Sequence, residues 1–184
     1  NNRGVSFHRM GNSLQALADY NRAIAIDSAY ALAYLNRGVA IYYNQDVAEA
    51  SETDIRRALK DFDKALSIEP TMSLAYRNRG VCYRILEDYD RALIDINLAL
   101  GIDREDYQNY LQRGRTYFDK EDHARAIDDF MKVLQLAPLQ PSAYIEMGNA
   151  KSRLGYHQDA IESHLKAAAI NEAYEGLAYY NVAC

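Results

Sequence analysis

Five glycines, Gly4, Gly38, Gly80, Gly114 and Gly148, recur at intervals of 34, 42, 34 and 34 residues, and the residues around each one recur with it. A period of this length gives a unit too small to bury its own apolar face, so the unit must stack on its neighbours to form a core. The chain is therefore expected to be an array, and arrays present surfaces for binding more readily than enclosed catalytic centres.

Each repeat opens with an aromatic residue four positions before the glycine: Tyr34, Tyr76, Tyr110 and Tyr144, with Tyr179 standing four before Ala183. A large side chain follows three positions after it, as Phe7, Ile41, Tyr83 or Tyr117. Aromatic, Gly and large at i, i+4 and i+7 share one helical face, where glycine admits a close neighbour. Further on, Ala16, Ala58, Ala92, Ala126 and Ala160 begin a second pattern. Four residues later stand Tyr20, Phe62, Ile96, Phe130 and His164, and seven later Ala23, Ala65, Ala99, Val133 and Ala167. This predicts a second helix whose small residues receive the first. Pro70 and Pro138 are expected to terminate second helices.

The aromatic, Gly, Tyr, Ala, Phe, Ala, Pro pattern resembles the tetratricopeptide repeat family over essentially the whole chain. The family's usual Leu before Gly is replaced by Arg3, Arg37, Arg79 and Arg113. The resemblance implies an all-α, right-handed α-solenoid (superhelix) of stacked antiparallel helix pairs, with a concave groove lined by the first helices. The repeats are set at 1–30, truncated at its start, 31–72, 73–106, 107–140 and 141–175, with 176–184 beginning a sixth. Neither end carries a polar capping repeat, and the expectation is a segment of a longer array or protein.

Composition narrows the partners. The formal net charge is −5, which argues against a general grip on nucleic acid, since that grip relies on Lys and Arg displacing counterions. No apolar run approaches the roughly 20 residues of a membrane helix. Cys82 and Cys184 form no metal-type or disulfide framework. An intracellular, cytoplasmic setting is expected, and Cys82 is read as a buried, inert thiol. His8, His123, His157 and His164 have no metal-ligand spacing, and no catalytic motif occurs. No cofactor, metal or intrinsic catalysis is expected.

Asp19, Asp61, Asp95 and Asp129 each lie three residues after the second-helix alanine, in the same repeats that carry Arg3, Arg37, Arg79 and Arg113. In repeat five both change, to Met147 and Ser163. Loss together suggests structural ion pairs within a repeat, joining its two helices and fixing their register.

The candidate peptide-binding residues lie on the first helices. Two positions before glycine stand Asn2, Asn36, Asn78, Gln112 and Glu146, with Asn181 before Ala183. A row of carboxamides can engage an extended peptide's main chain without selecting its side chains. Leu35, Val39, Tyr42, Arg77, Val81, Arg84, Leu111, Arg115 and Phe118 project onto the same groove. With Arg153 they make it mildly basic and partly apolar, against Asp119 and Glu146, which favours a protein or peptide with acidic and apolar residues. The carboxylate clamp that holds chaperone tails is not matched. Asn1 with Val5, Leu35 with Val39 and Arg77 with Val81 stand where it wants Lys and Asn.

Repeat two carries eight extra residues within Asn44 to Asp54, where Ser51 and Thr53 are candidate helix caps and the segment either lengthens the first helix or loops out. The function expected is a protein-interaction scaffold. The alternatives are a substrate-recruiting region of a larger enzyme, or an assembly subunit stacking through uncapped ends.

Overall fold

Two short patterns, each apolar on one face and joined by a few residues, fold as a hairpin of helices, and the chain does this five times. The computed structural model describes residues 1–43 and 50–171. The insertion's residues 44–49, the end of repeat five, and Tyr179, Asn181, Ala183 and Cys184 of the expected sixth repeat lie outside them. The hairpins are α1 (Asn2–Arg9) with α2 (Ser13–Ile26), α3 (Ala31–Tyr42) with α4 (Glu52–Ile68), α5 (Ser73–Ile85) with α6 (Tyr89–Ile102), α7 (Tyr107–Asp119) with α8 (His123–Leu136), and α9 (Pro141–Arg153) with α10 (His157–Ile170). Among the described residues there is no strand.

The chain divides into two compact units, Asn1–Ile102 and Asp103–Cys184. Within the N-terminal unit α3 packs on α2 and α5 on α4, and within the C-terminal unit α9 packs on α8. Each hairpin closes around its glycine. In repeat two a Cβ on Gly38 would lie 2.7 Å from Phe62 Cε1, and Phe62 is fully buried with Ala58, Ala65 and Leu35. Phe130 occupies the same place in the C-terminal unit, within a core that includes Ala126, Val133 and Ala143.

Where the first helices of repeats one, three, four and five end, the seventh residue after the glycine turns left-handed: Gly11 (φ 78°), Glu87 (60°), Glu121 (63°) and Gly155 (81°). The next amide then reaches back to a carbonyl five residues earlier, Asn12 to Phe7 at 2.8 Å, Asp88 to Tyr83 at 2.9 Å, Asp122 to Tyr117 at 2.8 Å and Tyr156 to Lys151 at 2.9 Å. This closes the helix end as a Schellman turn. Asp88 and Asp122 then cap the second helices, accepting from the Arg91 amide at 3.1 Å and the Arg125 amide at 3.2 Å. In repeat two α3 stops at Tyr42, and Ser51 caps α4 by accepting from the Asp54 amide at 3.2 Å. Thr53 is not a cap but lies in the first turn of α4.

Repeat five fills the same slots with polar groups. His164 stands where the other repeats place Tyr20, Phe62, Ile96 or Phe130, and is 3% exposed against Gly148. Its Nδ1 is buried without a hydrogen-bond partner. Lys151 Nζ donates to Ser163 Oγ at 3.3 Å. Burial disfavours the imidazolium and holds the His164 pKa below its ordinary 6.5. Below that pH the unfolded chain gains a proton that the folded chain refuses. His164 therefore leaves stability intact above about pH 6.5 and erodes it as pH falls toward the lowered folded pKa. His164→Phe is expected to flatten the loss of melting temperature between about pH 7 and 5. Taking the difference between the two profiles removes the contribution of His8, whose pKa burial also lowers. Parallel profiles would show that His164 is not the acid-sensitive group.

Candidate functional site

In repeats one to four the arginine before the glycine lies on the side of the first helix that meets the second. Arg3 donates to both carboxylate oxygens of Asp19 at 2.7 and 2.5 Å, and Arg37 to Asp61 at 2.8 and 2.6 Å. Arg79 holds Asp95 at 2.7 and 2.7 Å, and Arg113 holds Asp129 at 2.8 and 2.7 Å. All four are two-point forks of the kind guanidinium and carboxylate geometry favours. Burial is graded, with Arg3 70% exposed while Asp61, Asp95 and Asp129 are 8% or less. These hydrogen bonds raise the pKa of Arg37, Arg79 and Arg113. Each of the three also stacks on the tyrosine three residues before it, Tyr34, Tyr76 or Tyr110.

The reach of these arginines extends to the preceding repeat. Arg37 Nη1 donates to Asn21 at 2.7 Å and Arg79 Nη1 to Asp63 at 2.8 Å, both on the second helix of the preceding repeat. One guanidinium thus ties three helices. Sequence reasoning missed this second bond, although Asn21 and Asp63 recur five residues after the second-helix alanine.

The carboxamides are partly committed to the protein. Asn36 Nδ2 donates to Asn1 Oδ1 at 3.0 Å. The Asn78 oxygen accepts from the Tyr42 hydroxyl at 2.7 Å, and its amide donates to the Leu74 carbonyl at 2.7 Å. Tyr42 is edge-on to Phe62 at 6.0 Å, and burial pushes its hydroxyl pKa up. In the N-terminal unit Asn36, Val39, Arg77, Asn78, Val81 and Arg84 are all half-buried. In the C-terminal unit Gln112 is half-buried, and Phe118 lies 5.0 Å from the His123 ring. Arg115 Nε donates to Glu146 Oε1 at 2.8 Å, so the charge of Arg115 is compensated.

Leu35 and Leu111 correct the reading of the groove. They are 1% and 3% exposed and belong to the cores of their units. Each lies three residues before a glycine, hence on the buried face one turn away, and cannot touch a peptide.

Among the described residues no cluster of His, Cys, Asp or Glu could hold a metal ion, and no helix is long and apolar enough to cross a membrane. Cys82 is a fully buried free thiol whose pKa burial pushes up to about 12. Nothing here activates a nucleophile.

Helix hairpins repeated in phase, packed at glycine and tied by arginine, define a helix-pair repeat protein. Sequence profiles of the tetratricopeptide repeat match residues 51–107 and 107–138, and those residues are repeats of the tetratricopeptide repeat family. Its fold is similar to that of PilF of Pseudomonas aeruginosa, at 21% identity and a TM-score of 0.79, covering 92% of this chain and 74% of that one. MamA of Desulfovibrio magneticus RS-1 is also similar, at 20% identity and a TM-score of 0.77, with 95% and 94% covered. YrrB matches at 21% identity and a TM-score of 0.74, covering 100% of this chain and 90% of that one. No curated protein sequence matches the chain.

Proposed function

We propose that this protein is an interaction scaffold that holds an extended segment of a partner protein along the first-helix face of its N-terminal unit. The observation that carries this reading is Asn36. Its amide is oriented by Asn1 at 3.0 Å, while its carbonyl oxygen has no hydrogen-bond partner among the described residues. A half-buried, pre-oriented acceptor between repeats suits a backbone N–H and costs little further ordering on binding. YrrB, which shares the fold, is a TPR protein with an unusual peptide-binding site. Arg77 and Arg84 beside Val39 and Val81 favour a segment that mixes acidic and apolar residues. A free C-terminal carboxylate is not the feature recognised, and the setting is intracellular, where the Cys82 thiol stays reduced.

The test is peptide-library selection on the whole chain beside an Asn36→Ala, Asn78→Ala variant matched for melting temperature. A shared motif enriched by the parent and lost by the variant supports the reading. Equal enrichment by both overturns it.

A further inference from the structure

Three residues after the glycine, repeats three and four carry tyrosine, and each ring is covered by the arginine that precedes the second-helix alanine. Arg91 sits 4.6 Å from the Tyr83 ring centroid, and Arg125 sits 5.4 Å from that of Tyr117. Asp88 and Asp122 brace those arginines. Repeat two keeps the arginine, as Arg57, but has Ile41 in place of the ring. A cleft of about 330 Å³ opens there. Its apolar part is Leu17 and Ile41, and Asn21, Arg37, Arg57, Lys60 and Asp61 complete it.

Repeats three and four show what such a slot holds when it is filled: a phenol ring beneath a guanidinium group. The charge around the repeat-two slot also differs from theirs. Arg37 and Asp61 satisfy each other at 2.8 and 2.6 Å. Arg57 pairs with the half-buried Asp54 at 3.1 Å, as Arg91 pairs with Asp88 and Arg125 with Asp122. Lys60 makes no ion pair among the described residues. Its counterparts are Ile94 in repeat three and Asp128 in repeat four, so the surplus positive charge is particular to this repeat.

We infer that the cleft between α2, α3 and α4 is a second binding site, one that takes an aromatic side chain from an acidic segment of a partner protein. The ring enters against Leu17 and Ile41 beneath Arg57, as Tyr83 lies beneath Arg91. A neighbouring carboxylate pairs with Lys60. Ring burial and a cation above the ring supply the affinity, and the lysine selects for acid beside it. This site lies on the side of α3 that meets α2 and α4, and its lining includes neither Asn36 nor Asn78.

The experiment is fluorescence anisotropy of the whole chain with a fluorescein-labelled Asp-Tyr-Glu peptide and its Asp-Ala-Glu counterpart. The tyrosine peptide is expected to bind at least about tenfold more tightly. Ile41→Tyr, which installs the ring found in repeats three and four, should weaken that binding by about tenfold or more without lowering the melting temperature. Lys60→Glu, at an exposed position, should weaken it with melting unchanged. Asn36→Ala with Asn78→Ala should leave it as it was, which separates this site from the proposed first-helix face. Failure of the tyrosine peptide to bind up to ~1 mM, equal binding of the two peptides, or undiminished binding by Ile41→Tyr and Lys60→Glu would overturn the assignment.

Discussion

Asp95→Ala is expected to destabilise the N-terminal unit by about 3 kcal/mol or more. The Asp95 side chain is 4% exposed and takes two hydrogen bonds from Arg79, whose other carboxylate partner among the described residues is Asp63, at 56% exposure. A guanidinium cannot shed its proton, so removing Asp95 leaves a largely buried cation with one of its three hydrogen bonds to carboxylates. Removing both charges should cost less than removing one, because the remaining apolar groups carry no unpaired charge. Repeat five is a natural instance, with Met147 and Ser163 in the two slots. Urea unfolding followed by helicity should therefore order the proteins as parent, then Arg79→Met with Asp95→Ser, then Asp95→Ala. Asp19→Ala should change little, since its partner Arg3 is 70% exposed. If Asp95→Ala behaved like Asp19→Ala, the tie would contribute nothing to stability.

Gly38→Ala and Gly101→Ala should move stability in opposite directions. A Cβ at Gly38 would stand 2.7 Å from one ring carbon of Phe62 and 2.9 Å from another, and that ring is fully buried. The ring cannot retreat without separating α3 from α4, and such overpacking costs about 1–3 kcal/mol, more than the ~1 kcal/mol that alanine gains over glycine in a helix. At Gly101, in the last turn of α6, a Cβ meets nothing within 4 Å. There the helical gain stands alone, and stability should rise by up to about 1 kcal/mol. Thermal melting of the two variants decides it. A destabilised Gly101→Ala would mean that the outer surface of α6 is engaged.

The helix hairpins were legible in the sequence because each slot is chemically narrow: only glycine tolerates Phe62 or Phe130 at such distance, and only a small residue fits opposite. The left-handed turn was not. Gly11 and Gly155 mark it, but Glu87 and Glu121 hold the same backbone conformation with a side chain that gives no sign of it. The groove reading failed at Leu35 and Leu111 because counting from glycine places a residue on a helix without saying which neighbour covers it. The reach of Arg37 and Arg79 into the preceding repeat was hidden by chemistry that varies at its acceptor, an amide at Asn21 and a carboxylate at Asp63. The open slot at Ile41 became visible only beside the occupied ones at Tyr83 and Tyr117.

Because Arg37 and Arg79 each grip their own hairpin and the one before it, opening one repeat of the N-terminal unit strips bonds from its neighbour. At the junction of repeats four and five Met147 offers no such grip, and a tie there is the Arg115–Glu146 contact between α7 and α9. Linear arrays melt as chains of domino-like elements whose nearest-neighbour coupling sets how many fall together. Amide protons of α1 to α6 should then exchange as one block, while those of α9 and α10 exchange sooner and on their own. This protein would thus carry a firm portion and a portion that opens at little cost, divided by the presence or absence of one arginine.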